Sequence, residues 1–129
     1  IATQMRQAGA PVFSYYLSYV ADARRDSQPG AAHADDVAFV LKTLESEKNL
    51  TAITAKDREV SDLMSAYWVQ FARTGNPNKE GSPEWPAFEP ATSKVLEMGD
   101  SVIVRERVLS ERLEYHSSRS LNLLERVTQ

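Results

Sequence analysis

The chain has 129 residues, 42% of them hydrophobic, enough to bury one domain-sized core. Its 18 acidic and 15 basic residues leave a net charge of −3, too balanced to favour nucleic acid or an anionic membrane surface as a partner. With no cysteine, disulfides and thiolate chemistry are excluded, and no apolar run approaches the roughly 20 residues needed to cross a bilayer.

The opening stretch through Ala8 reads as the end of a helix stopped by Gly9 and Pro11. From Val12 to Val20 the run Val-Phe-Ser-Tyr-Tyr-Leu-Ser-Tyr-Val is aromatic and β-branched, and it is apolar on both faces. Such a run predicts a central strand of an α/β sheet, covered on each side. Arg24 to Gly30 predicts a surface loop ending in a turn, after which Asp35 or Asp36 opens a short helix through Val37, Phe39, Val40 and Leu41. His33 therefore falls between a buried strand and a helix start.

A long helix follows. Thr54 and Asp57 have the spacing of a capping box, Val60, Leu63, Met64, Tyr67, Trp68 and Phe71 recur on one face, and Thr74-Gly75-Asn76-Pro77 supplies the stop. Asn76 to Pro90 predicts an extended loop pinned by Trp85 and Phe88. Lys94–Met98 and Val102–Arg105 predict a hairpin turning at Gly99-Asp100-Ser101, and Leu109, Leu113, His116, Leu123, Leu124 and Val127 mark one face of a terminal helix. A single buried strand and a small hairpin do not make the sheet that Val12–Val20 demands, so its neighbours are expected on a longer parent polypeptide. A first residue other than methionine fits a processed or excised chain.

His33 is the one candidate for chemistry. Small neighbours at Gly30, Ala31, Ala32 and Ala34 leave room for close approach, and the position follows a strand end, where α/β sheets place their sites. Asp35 and Asp36 either stabilise the helix start or support the histidine. Ser14 and Ser18 lack the small-residue elbow of a nucleophile and read as hydrogen-bonded strand residues, and His116 reads as a structural histidine. Two distant histidines without cysteine give no metal signal, and there is no glycine-rich phosphate loop.

Gly30-Ala31-Ala32-His33-Ala34-Asp35-Asp36-Val37-Ala38-Phe39-Val40 resembles the Gly-x-x-His-x-x-(Glu/Asp)-x-x-Phe-Val segment of the type-B carboxylesterases. Pro11-Val12-Phe13-Ser14-Tyr15 resembles the strand before that histidine, Leu63 to Asn78 the family's Met-x-x-Tyr-Trp-x-x-Phe-Ala-x-Thr-Gly-x-Pro-Asn block, and Trp85-Pro86-Ala87-Phe88 its Trp-Pro-x-(Tyr/Phe). The resemblance implies the C-terminal portion of an α/β-hydrolase fold over residues 1–129, incomplete by itself. It implies that His33 is the triad histidine acting as general base, with Asp36 supporting its loop. Because the triad runs serine, acid, histidine along such chains, the nucleophile, the acid and the oxyanion donors are expected upstream. The implied reaction is carboxylic-ester hydrolysis without metal or cofactor. The implied partners are an ester substrate and, for the strand Val12–Val20, the rest of the parent chain or a second copy. The family also includes binding and adhesion modules that keep the fold without a working triad, and an inert structural piece is compatible with either ancestry.

Overall fold

The computed structural model describes residues 2–48 and 50–108; the expected terminal helix and His116 lie outside them. In chain order the elements are α1 (Ala2–Gln7), β1 (Tyr15–Leu17), α2 (Asp35–Val40), α3 (Ala55–Thr74), β2 (Val95–Met98) and β3 (Val102–Arg105). Short 3₁₀ turns at Asp22–Arg24 and Leu44–Ser46 complete the described secondary structure.

The three strands form one sheet in the order β1-β2-β3, with β1 and β2 parallel and β2 and β3 antiparallel. This corrects the expectation that the strand at Val12–Val20 finds no partner within the chain. Its regular ladder is only Tyr15–Leu17, paired with Leu96 to Met98. One edge is nevertheless satisfied from Val12 to Tyr19. The Phe88 amide donates to the Val12 carbonyl at 2.7 Å, the Leu96 amide to Ser14 at 3.0 Å, and the Ser18 and Tyr19 amides both donate to Met98 at 3.0 and 3.1 Å. That shared acceptor ends the parallel ladder. Within this chain, among the described residues, one face of the strand is covered and the other is not. Tyr19 is buried and Tyr15 and Leu17 half-buried, but Tyr16 is 40% exposed.

The core is aromatic. Trp85, only 4% exposed, sits in the irregular loop after α3 and meets Phe13, Tyr15, Tyr67 and Trp68 with ring centroids 5.4–6.3 Å apart. Three of these contacts are edge-to-face, each worth roughly 0.5–1.5 kcal/mol beyond area burial. Its indole N–H donates to the Ser14 carbonyl at 2.9 Å, and Asn78 brackets its backbone through Oδ1 at 2.7 Å and Nδ2 at 2.9 Å. The loop is thereby tied to the strand that precedes His33.

Helix α3 begins as its capping box predicts. The Asp57 amide donates to Thr54 Oγ1 at 3.2 Å and the Thr54 amide donates to Asp57 Oδ2 at 2.8 Å. Gly75, at φ +75°, ends the helix with its amide on the Phe71 carbonyl. The stripe Val60, Met64 and Tyr67 is buried, whereas Phe71 at the far end is 44% exposed. Asp57 also reaches beyond the helix. Its Oδ1 accepts from the Tyr19 hydroxyl at 2.8 Å and from the Asp22 amide at 3.1 Å, and the residue has 0% exposure. Helix α2 packs on α3 and starts after Ala34, a non-glycine residue at φ +67°. A left-handed backbone carrying a Cβ is strained by about 1–2 kcal/mol.

Two tests follow from this geometry. Burial raises the Asp57 pKa, but hydrogen bonds from the Thr54 amide, the Tyr19 hydroxyl and the Asp22 amide together outweigh it and hold the carboxyl below its usual range. A folded pKa below the unfolded value of about 3.9 gives stability that is fully present above pH ~4 and lost as pH falls through the folded pKa. Asp57→Asn should lower the urea-unfolding free energy at pH 7 by about 2–3 kcal/mol and flatten its dependence on pH below ~4. An unchanged acid limb in the variant would assign that limb to other carboxylates. Ala34→Gly should raise stability by roughly 0.5–1 kcal/mol, the relieved strain exceeding the added unfolded-state entropy; the urea midpoint reads this directly.

Candidate active site

His33 lies on the segment between the end of β1 and α2, and its side chain is exposed. It lines an open groove of about 710 Å³ with Tyr15, Tyr16 and Leu17 of β1 on one side and Ala31, Ala32, Ala34, Asp36 and Val37 on the other. The small residues at 31, 32 and 34 keep the approach to the imidazole open, as their sequence suggests. Hydrogen bonds among the described residues reach the segment's backbone and its neighbours, and none of them engages the imidazole itself.

The two carboxylates after His33 have different tasks. Asp36 accepts a short hydrogen bond from the Tyr15 hydroxyl, joining the first turn of α2 to β1. Burial, and then the facing Asp36 carboxylate, raise the Tyr15 phenol pKa, so that it remains a donor. The Tyr15 ring stands edge-on to Trp68 at 4.9 Å, so the aromatic core positions this contact. Asp35 instead turns back toward the preceding loop. Its Oδ1 accepts from Arg24 Nη1 at 3.2 Å, and its Oδ2 accepts from the Ala32 amide at 2.8 Å and from Gln28 Nε2. The family resemblance singled out Asp36 as the support of the histidine loop, whereas the residues by themselves left Asp35 and Asp36 alike, as helix-start or supporting carboxylates; the partners of Asp35, Arg24 and Gln28, lie in a stretch readable only as polar loop.

Helix α3 fixes the rest. Ser61 Oγ donates to the Phe39 carbonyl at 2.7 Å inside the core, holding the last turn of α2 against α3. The strand serines have structural partners, as expected: the Ser18 hydroxyl donates to Glu97 at 2.7 Å, and Ser14 offers its carbonyl to Trp85 and Leu96. Hydrogen bonds from Ser18, then Arg105, hold the Glu97 carboxyl below its usual range. A Cβ at Gly99 would lie 2.5 Å from Ser18 Oγ, so a side chain there would require the Ser18 hydroxyl to shift.

The model of the carboxylesterase family matches residues 1–116. Carboxylesterase 5A of Canis lupus familiaris is 31% identical over 118 residues, covering 87% of this chain and 20% of its own length. Carboxylesterase 3B of Mus musculus is 37% identical over 103 residues, covering 74% of this chain and 18% of its own. Among solved structures, a PNB esterase superposes with a TM-score of 0.69 at 26% identity over 81% of this chain and 21% of its own. An esterase from anaerobic Clostridium hathewayi superposes with a TM-score of 0.74 over 91% of this chain and 23% of its own, at 23% identity, which speaks for the fold alone. The chain thus spans about one fifth of the length of the curated relatives it matches. Its α/β architecture is that of part of an α/β-hydrolase, and the chain belongs to the carboxylesterase family.

Proposed function

We propose that this chain supplies His33 as the general base of a serine carboxylesterase whose nucleophile, acidic triad member and oxyanion donors stand on segments outside it. The observation that carries the reading is the position of His33: an exposed imidazole at the mouth of a groove, on a loop that follows a sheet strand. In the reaction, the imidazole takes the proton of the serine hydroxyl as it attacks the ester carbonyl, and then gives that proton to the leaving alcohol. Water repeats the cycle on the acyl-serine. The reaction requires neither metal nor cofactor.

The same reading explains the open side of β1. Its described backbone hydrogen bonds run toward β2 and the loop before it, so among the described residues its other edge offers unpaired amide and carbonyl groups beside the half-exposed Tyr16. We assign that edge to a strand of the remaining esterase polypeptide, which would carry the sheet on toward the nucleophile. In its absence a second copy of the chain is the natural substitute. The isolated chain should therefore associate in light scattering and show protection in hydrogen exchange at Tyr15 and Leu17, whose amides point away from β2. A dilute monomer with Tyr15 and Leu17 exchanging freely would count against the assignment.

On para-nitrophenyl esters this chain by itself should turn over no faster than free imidazole, since it lacks the nucleophile and oxyanion donors that supply most transition-state stabilisation. In the complete esterase, His33→Ala should reduce kcat by on the order of 10⁴–10⁶-fold with little change in melting temperature. An active His33→Ala enzyme would overturn the proposal.

A further inference from the structure

Resting on the reading of His33 as the base, we infer that Asp35 is its positioning residue, working with Arg24 and Gln28. The argument begins with the backbone. The Asp35 amide donates to the Ala32 carbonyl at 3.3 Å, while the Ala32 amide donates to Asp35 Oδ2 at 2.8 Å. His33 and Ala34 are thus enclosed between two reciprocal hydrogen bonds, and the left-handed backbone of Ala34 turns the chain within them. This bracket fixes the direction in which His33 leaves the backbone.

The carboxylate of Asp35 then anchors the bracket to the rest of the fold. Gln28 Nε2 donates both to Asp35 Oδ2 and to the Gly30 carbonyl at 2.9 Å, which gathers the loop before the histidine. Arg24, on the 3₁₀ turn that follows the buried Tyr19 and Ala21, closes a 3.2 Å ion pair with Asp35 Oδ1. The pair is largely withdrawn from solvent, with side-chain exposures of 18% and 13%. A carboxylate that merely stabilised the start of α2 would face the helix's own amides; this one faces backward, toward donors on the loop.

Asp35→Asn is the informative variant because it preserves shape and removes acceptor capacity. Whichever way its amide is turned, an NH₂ group opposes either Arg24 or the Gln28 and Ala32 donors. In the complete esterase, with a para-nitrophenyl ester, Asp35→Asn should lower kcat about 10- to 100-fold and leave KM within about threefold, as expected of a misdirected base rather than a lost substrate contact. Gln28→Ala and Arg24→Lys, which each disturb one donor, should lower kcat roughly three- to tenfold. They decide the matter if Asp35→Asn fails to fold. Wild-type kcat in Asp35→Asn, or in both milder variants, while His33→Ala is inactive, overturns the positioning role and leaves the base assignment standing. An active His33→Ala enzyme overturns the base assignment, and this inference with it.

Discussion

A single buried carboxylate organises the half of the fold that carries the histidine. Asp57 begins as a local device: three residues into α3, it accepts the Thr54 amide and completes the helix cap. It has no exposed surface, so its charge must be matched inside the protein. The Tyr19 hydroxyl and Asp22 amide meet that requirement, and both belong to the segment just past β1. The Thr54 hydroxyl strengthens the junction by donating to Asp22 Oδ2 at 2.7 Å. Arg25 covers it, with its guanidinium 5.0 Å from the centroid of the Tyr19 ring and ion pairs to Asp22 and Asp100. Removing any one donor leaves a desolvated carboxylate short of a partner, and for this reason strand end, helix start and hairpin turn are held as one unit.

Everything between Tyr19 and Thr54 is then a closed excursion from a fixed base, and His33 lies within it. Helix α2 is pinned in the middle of the excursion by its buried residues Ala38 and Phe39 and by the Ser61 hydroxyl on the Phe39 carbonyl. The remaining slack lies between Arg24 and Asp35, the stretch crossed by the ion pair and the Gln28 bonds. Order thus falls off in steps from the core toward the groove, from full burial at Asp57, through partial burial at Asp35, to the exposed imidazole of His33. For the base proposed at His33, such a gradient leaves the ring accessible while the backbone behind it is bonded.

The parts of this arrangement that sequence reveals are those set by near neighbours. The capping box at Thr54 and Asp57, the glycine stop at Gly75 and the turn at Gly99-Asp100-Ser101 are written in adjacent residues, and each forms where expected. Long-range partners were less legible. Nothing near Asp57 predicts Tyr19, and nothing near Val12–Val20 predicts that its hydrogen-bonding partner comes from residues 87 to 98 of the same chain. The aromatic stripe on α3 was readable from its helical period, but the most buried aromatic against it, Trp85, belongs to a loop with no period at all. Around His33, its placement on the loop between a strand and a helix start was legible from the flanking residues. The division of work between Asp35 and Asp36 was not, since neighbouring carboxylates at a helix start look alike until their side chains take opposite directions.

That division bears on how a triad can be assembled from distant parts of a chain. The groups that orient His33 here are Arg24, Gln28, Ala32 and Asp35, and those that hold its surroundings are Tyr15, Asp36, Asp57 and Ser61. All lie within residues 15 to 61, so these contacts of the histidine loop are supplied by one short stretch of this chain. In the proposed hydrolase the triad acid would then have only the ring orientation and tautomer left to select, because the backbone that presents the ring is already fixed. The electrostatics are compatible with such a late contact. Asp35 is engaged by Arg24 and Gln28, and Asp36 by Tyr15, so both nearby carboxylates have donors of their own and neither is bonded to the imidazole. A loop that used one of them to hold the histidine ring would have to break that bond before an acid from elsewhere could take its place.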